Sequence, residues 1–389
     1  MSKITTLSQI CDALSDGLHK APVFNPTGEY LFVNATNLEK GYIVDKDEGK
    51  RADFSEYQKY GVELNDRTVL YSIDGTIGNI ARYRGEKVIL GKGACYLMVK
   101  NGVDPDYIYF LLQSEAFNEY IRKMSTGSTI HHISLETIRN FKFQLPDYDT
   151  QKSISSVLMA MENKIHLNVR LAAELESMAK TIYDYWFTQF DFPDADDKPY
   201  RSSGGAMEWN AQHKKEIPQG WLATTMSALT TVVTGKEDAN FSTPHGKYKF
   251  FTCAQETIHC DTPAFSGHAV LIAGNGDFNV KHYTGHFNAY QRTYVLIPND
   301  DKYYAIMYIA AQQRIRAFKQ GSNGSIVKFI TKGDVENIPL LIPEDKSLLE
   351  PLNKILEKIE HCERENDELI KLRDWLLPML MKGQAIVAE

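Results

Sequence analysis

Four spacings in this 389-residue chain invite a chemical reading. His282-x-x-x-His286 has the separation that puts two imidazoles on one helix face around a metal ion. Gly285 and turn-rich surroundings disfavour that helix, and no carboxylate motif accompanies the pair. Gly85 followed by Gly91-Lys92-Gly93 resembles a phosphate loop. Its interval holds five residues where four are required, and no Ser or Thr follows the lysine to hold magnesium. Glu344-x-Lys346 is half of a nuclease centre without its upstream carboxylate, and His131-His132 reads as polar loop. No glycine-rich cofactor loop follows a strand, and no Asn/Asp-Pro-Pro-aromatic tetrapeptide marks an adenine methyltransferase. The chain therefore reads as a binder that performs no reaction, with no metal and no cofactor of its own.

Composition narrows the partner. Hydrophobic residues make up 43% and charged residues 24%, and no apolar run approaches the ~18 residues that cross a bilayer. Five cysteines form no CxxC pair, and no basic-then-apolar export segment opens the chain, so a cytoplasmic protein with reduced thiols is expected. The net charge of −7 is unevenly spread. Lys and Arg number 17 against 18 Asp and Glu in residues 1–146, and 11 against 9 in 217–343, so the acidic excess lies elsewhere. Charge thus permits a polyanionic partner for those two blocks.

The elements that must position such a surface are two long helices. Ile154, Leu158, Met161, Ile165, Asn168, Ala172, Leu175, Ala179, Ile182 and Trp186 step by four and three, without an internal Pro or Gly. Leu348, Leu352, Ile355, Ile359, Cys362, Asn366, Leu369, Arg373, Leu376 and Leu380 repeat the rhythm, each displaced by 194. The blocks before the two helices also correspond. Pro26-x-Gly28-x-Tyr30-x-Phe32 returns as Pro244-x-Gly246-x-Tyr248-x-Phe250, Asp74-Gly75 as Asn275-Gly276, and Gly127-Ser128 as Gly324-Ser325. The spacing predicts an α+β protein with a pseudo-twofold internal repeat: two mixed α/β domains, 1–146 and 221–343, joined by long antiparallel helices, 147–190 and 344–382, as an intramolecular coiled coil. Residues 191–220 read as a crossover and 383–389 as a tail.

With those features, the chain resembles the specificity (S) subunit of type I restriction–modification systems over essentially its whole length. The resemblance is carried by Leu145-Pro146 to Gln151-Lys152 leading into Glu162-Asn163-Lys164-Ile165, by Tyr185-Trp186-Phe187-x-x-Phe190-Asp191-Phe192, by Lys198-Pro199-Tyr200-x-Ser202-Ser203-Gly204-Gly205, and by Glu216-Ile217-Pro218-x-Gly220-Trp221. It implies two target-recognition domains that read a bipartite double-stranded DNA site. It also implies two methyltransferase (M) and two motor-nuclease (R) subunits as partners, which would hold S-adenosylmethionine, ATP and magnesium. A seam from Ile154 to Trp186, ~48 Å long at ~1.5 Å per residue, would set the spacer between half-sites. A scaffold that reads no DNA remains the alternative.

Because the resemblance places reading in loops, donors and cations at turns become the candidates: Arg82, Arg84, Lys92, Ser128, Thr129, His131 and His132 in the first block. In the second they are Asn275, Lys281, His282, Arg292, Ser322, Asn323, Ser325 and Lys328. Flush antiparallel seams would set Asn168 opposite Asn366, a polar pair that fixes register. Tyr185, Trp186, Phe187 and Trp375, at the helix exits, are candidates either for a partner surface or for a core cap.

Overall fold

The computed structural model describes residues 3–46, 50–124, 132–276, 278–320 and 329–385. The chain divides into two compact units, Met1–Leu167 with Asn366–Glu389, and Asn168–Glu365.

In the first unit strand Cys11–Asp16 pairs with Ala94–Val99, which pairs with Thr68–Ser72, which pairs with Ile80–Arg82, all antiparallel. A second sheet sets Tyr30–Val33 between Arg51–Ala52 and a parallel Val88–Leu90. The second unit repeats this order within one six-stranded sheet: Thr230–Thr234, Thr293–Pro298, Phe265–Ala273, Val280–Ala289, Tyr248–Phe251 and Ile258–Cys260. Its ten-residue strand Val280–Ala289 covers the place of two short strands in the first unit, where the chain turns at Gly85 with φ +97°. Runs such as Val69-Leu70-Tyr71 and Val270-Leu271-Ile272 are buried on both faces, which is why they read as continuous apolar stretches instead of alternating ones.

The repeat extends to individual backbone hydrogen bonds. The N–H of Lys100 donates to Ile10 and that of Asn299 to Leu229; Ile133 donates to Ile73 and Ile330 to Gly274; Leu7 donates to Phe141 and Met226 to Ile338. Two copies of one hydrogen-bond network require two copies of one chain path.

The long helices are Tyr148–Tyr183, followed by a π turn Asp184–Thr188, and Glu350–Met381. In the first unit Ile154 and Leu158 share a core with Leu380, and Leu376 and Leu377 pack on it. In the second, Ala179 and Tyr183 share a core with Leu352, Ile355, Leu356 and Ile359. Low numbers meet high numbers in both, so each unit holds an antiparallel helix pair. Every position of the two four-three seams is buried or half-buried. The segment after the central helix folds back onto the second unit: Phe192 stacks on Tyr200 at 4.6 Å and on Trp221 at 5.1 Å, within the core that holds Phe187 and Phe190.

Candidate nucleic-acid interface

Each unit brings three chain segments to one edge. The first is the turn that follows a buried strand, Asp74-Gly75 or Asn275-Gly276. Gly75 and Gly276 have φ of +71° and +72°, and a Cβ at either would meet nothing within 4 Å. Glycine is needed there for its backbone conformation and not for space. The second segment is the corner at 91–93 or 290–292, where Gly93 accepts the N–H of Ile73 and Arg292 accepts that of Gly274. The third is the residue bridged to that turn: His132 bridges to Asp74, and Phe329 to Asn275.

Seven of the candidate readers, Ser128, Thr129, His131, Ser322, Asn323, Ser325 and Lys328, lie outside the described residues. At the edge itself stand Lys92, His132, Asn275 and Arg292. Lys92 is exposed with its ammonium 3.7 Å from the Asp74 carboxylate, and His132 and Arg292 are exposed. Arg84 stands apart: it donates to the carbonyls of Gly41 (2.7 Å) and Arg82 (2.9 Å) and lies 4.2 Å over Tyr42, which stacks on His166 of the central helix. Lys281 is half-buried and donates to the carbonyl of Ala254 at 2.6 Å; burial pulls its ammonium below the usual lysine range.

Two expectations are corrected. Arg82 and His282 are each 8% exposed, and they occupy one position of the repeat, opposite Val69 and Val270 in the strand pairing. Arg82 donates to the Asp106 carboxylate (2.7 Å) and to the carbonyls of Thr68 (2.6 Å) and Asp66 (2.9 Å). His282 shares a 3.2 Å hydrogen bond with Glu360 and meets the edge of the Tyr308 ring. A buried basic group is tolerable only when paired, and these are paired inside the protein, out of reach of a nucleic acid. Phe187 takes the core-cap alternative and not the partner surface. It is a core residue, and Trp186 packs on that core, whereas Tyr185 and Trp375 are exposed.

Three further side chains at the edges, Asp74, Gln291 and Phe329, escape a search for cations. The repeat could have found the last, since the gapless stretch from Gly127/Gly324 sets Phe329 on His132. At the helix seam, Asn168 donates to Glu365 at 2.7 Å and Asn366 to the carbonyl of Ile165 at 3.4 Å. Arg373 donates to Glu162 at 2.8 Å, and burial holds the Glu162 carboxyl above its usual range despite that arginine. Among the described residues no cluster of His, Cys, Asp or Glu could hold a metal ion, and no helix is long and apolar enough to cross a membrane.

Residues 2–177 and 229–371 match the family described as the type I restriction modification DNA specificity domain. A 176-residue stretch is 35% identical to the type I restriction enzyme EcoDI specificity subunit of Escherichia coli, covering 43% of this chain and 39% of that protein. The match thus spans well under half of that relative's length. Over 352 residues the chain is 22% identical to the MjaIX specificity subunit of Methanocaldococcus jannaschii, covering 83% of this chain and 78% of the relative. The crystal structure of a type I restriction–modification S subunit from M. genitalium shares the fold, with a TM-score of 0.62 and 17% identity over 98% of this chain and 96% of that one.

Proposed function

The chain belongs to the type I restriction–modification DNA specificity family, and from that premise we propose that each repeat reads one half of a split double-stranded DNA target. The observation that carries the reading is the pair of matching edges. Each sets side chains on a turn, a corner and a residue bridged to that turn, held by the same backbone hydrogen bonds and bridges, with Lys92, His132 and Arg292 exposed among them. Donors and acceptors fixed on a rigid sheet can discriminate base edges, while cations nearby hold phosphates.

In this reading the chain catalyses nothing. Two M subunits supply adenine methylation from S-adenosylmethionine, and two R subunits supply ATP- and magnesium-dependent translocation and cleavage, in the cytoplasm. A repeated chain offers each M subunit a similar surface, which accounts for two copies. The exposed Tyr185 and Trp375 are the aromatic anchors proposed for those contacts. The helix pair sets the spacer between half-sites.

Co-expression with the neighbouring methyltransferase, followed by genome-wide mapping of methylated adenine, tests this. A two-part motif with one spacer length is expected. Methylation of a single unsplit motif, or of none, would leave the chain as a scaffold.

A further inference from the structure

The two edges present side chains of different kind on the same backbone positions. The correspondence is fixed by the main chain. The N–H of Lys92 donates to Leu18, whose bridge is to Gly91; the N–H of Gln291 donates to Glu237, whose bridge is to Tyr290. Asp74 bridges His132 as Asn275 bridges Phe329. Asp74, Lys92 and His132 therefore stand where Asn275, Gln291 and Phe329 stand.

The first set is charged and divided by sign. Asp74 is an acceptor only, with one carboxylate oxygen engaged by the Gly75 N–H at 3.0 Å, and Lys92, 3.7 Å away, is a donor only. The second set is neutral and mixed. Asn275 makes no side-chain hydrogen bond among the described residues, and Gln291 uses an amide N–H on Asp238 at 3.2 Å. Phe329 is 63% exposed.

We propose that these six side chains set the base pair read at the corresponding step of each half-site, G·C by the first trio and A·T by the second. A carboxylate accepts from the cytosine amino group while an ammonium donates to guanine O6 and N7, so an acceptor and a donor side by side match the major-groove edge of G·C. Asn and Gln carry donor and acceptor on one group and match adenine N6 and N7, and an exposed phenyl ring covers the thymine methyl. His132 puts a polar ring where Phe329 puts an apolar one, so the first edge has no matching surface for that methyl.

The inference rests on the proposed DNA reading and gives its base content. The test uses the full chain with its methyltransferase partner, a randomised duplex pool, and sequencing of the bound fraction. The variant Asp74→Asn/Lys92→Gln/His132→Phe should convert one G·C pair of the first half-site to A·T, a preference shift of about tenfold or more. The second half-site and spacer stay unaltered. Asn275→Asp/Gln291→Lys/Phe329→His should make the converse change in the second half-site. Should a triple variant not fold, Lys92→Gln and Phe329→His, both at exposed positions, carry the same readout.

Variants that enrich the parent sequence at both half-sites overturn the base assignment, and so do folded variants that bind no sequence, because an exchanged trio should redirect reading and not abolish it. If the unaltered complex enriches no split sequence, the DNA-reading proposal itself fails.

Discussion

The two repeats share a backbone and differ in how each is tied to its long helix. In the first unit the carboxylate is on the domain. Asp104 is buried, accepts the Tyr107 N–H at 3.2 Å as the cap of helix Pro105–Leu111, and receives the Ser155 hydroxyl, with Lys152 at 3.6 Å. Gln151 beside them accepts the Asp104 N–H at 2.9 Å and donates to the Pro146 carbonyl at 2.8 Å. In the second unit the carboxylate is on the helix: Glu360 receives the Tyr304 hydroxyl at 2.6 Å and shares a 3.2 Å hydrogen bond with His282. Asn353, nearly two turns earlier, accepts the Ala305 N–H at 3.0 Å and donates to the Lys302 carbonyl at 2.8 Å. Both junctions answer one requirement, the unpaired N–H groups at the start of a domain helix. Each long helix meets it with a side-chain amide, Gln151 or Asn353, while the buried carboxylate beside it lies on the domain in one unit and on the helix in the other, where it accepts from side chains. A duplicated fold thus fixes where a junction must be polar without fixing which side carries the charge.

The largest way to break this comparison is to remove a carboxylate. Glu360→Ala takes the acceptor from buried His282 and leaves the Tyr304 hydroxyl only the longer 3.5 Å bond to the Ala269 carbonyl, and a broken buried pair typically costs about 3–5 kcal/mol. Chemical denaturation should show that loss, with hydrogen exchange placing it in residues 168–365. A loss below about 1 kcal/mol, or one spread equally over both units, would show that apolar packing alone holds the junction. Asp104→Ala should act in the first unit and less strongly, by about 2 kcal/mol, because its helix loses a cap and the buried Ser155 hydroxyl keeps only its second acceptor, the Lys152 carbonyl at 3.2 Å. If Asp104→Asn is as damaging as Asp104→Ala, the cap contributes nothing.

Those partners also show where sequence was legible and where it was not. The seams could be read because burial repeats along a helix, and periodicity reports burial directly. Gly75 and Gly276 could be read because few other residues adopt their conformation. Arg82 and His282 could not, because their partners lie far along the chain: Asp106 is 24 residues on, and Glu360 is 78. A basic residue after a turn looks solvent-facing until the helix that covers it is known. Phe187 stayed open between core and surface for the same reason, since Trp221, whose ring lies 5.5 Å from it, is 34 residues on. Correspondence between repeats was the stronger guide, and it sets Phe329 at the edge without any appeal to charge.

The polarity difference also separates the units by pH. Burial pushes the Glu360 carboxyl up, but hydrogen bonds from His282, Tyr304 and Thr284 outweigh it and hold the group below its ordinary value. Its stabilisation is therefore present above the unfolded pKa of about 4.3 and lost as pH falls further. Glu162 is shifted the other way, by burial that exceeds the pull of Arg373. Its contribution is present below about pH 4.3 and lost as pH rises through the raised value. As pH falls from neutrality towards about 4.3, Glu162 should add hydrogen-exchange protection to the helix pair of the first unit and the likewise raised Glu363 to that of the second, and below that range the second should lose protection as Glu360 takes up its proton. Parallel loss in both units would contradict the opposed shifts.

The smallest expected effect on folding is the most informative about spacing. Asn168 and Asn366 each place an amide on a mostly apolar seam and find a partner across the helix pair, Glu365 and the Ile165 carbonyl. Polar seam residues fix register at some expense of stability, because a shifted pairing would bury the amide unbonded. Replacing both with Leu should leave the chain folded, with a midpoint equal to or above that of the parent. It should also loosen the register, read as methylation of targets with more than one spacer length when the variant is co-expressed with the methyltransferase. A single, unchanged spacer in that methylome would assign the register to apolar packing and the Arg373–Glu162 pair instead.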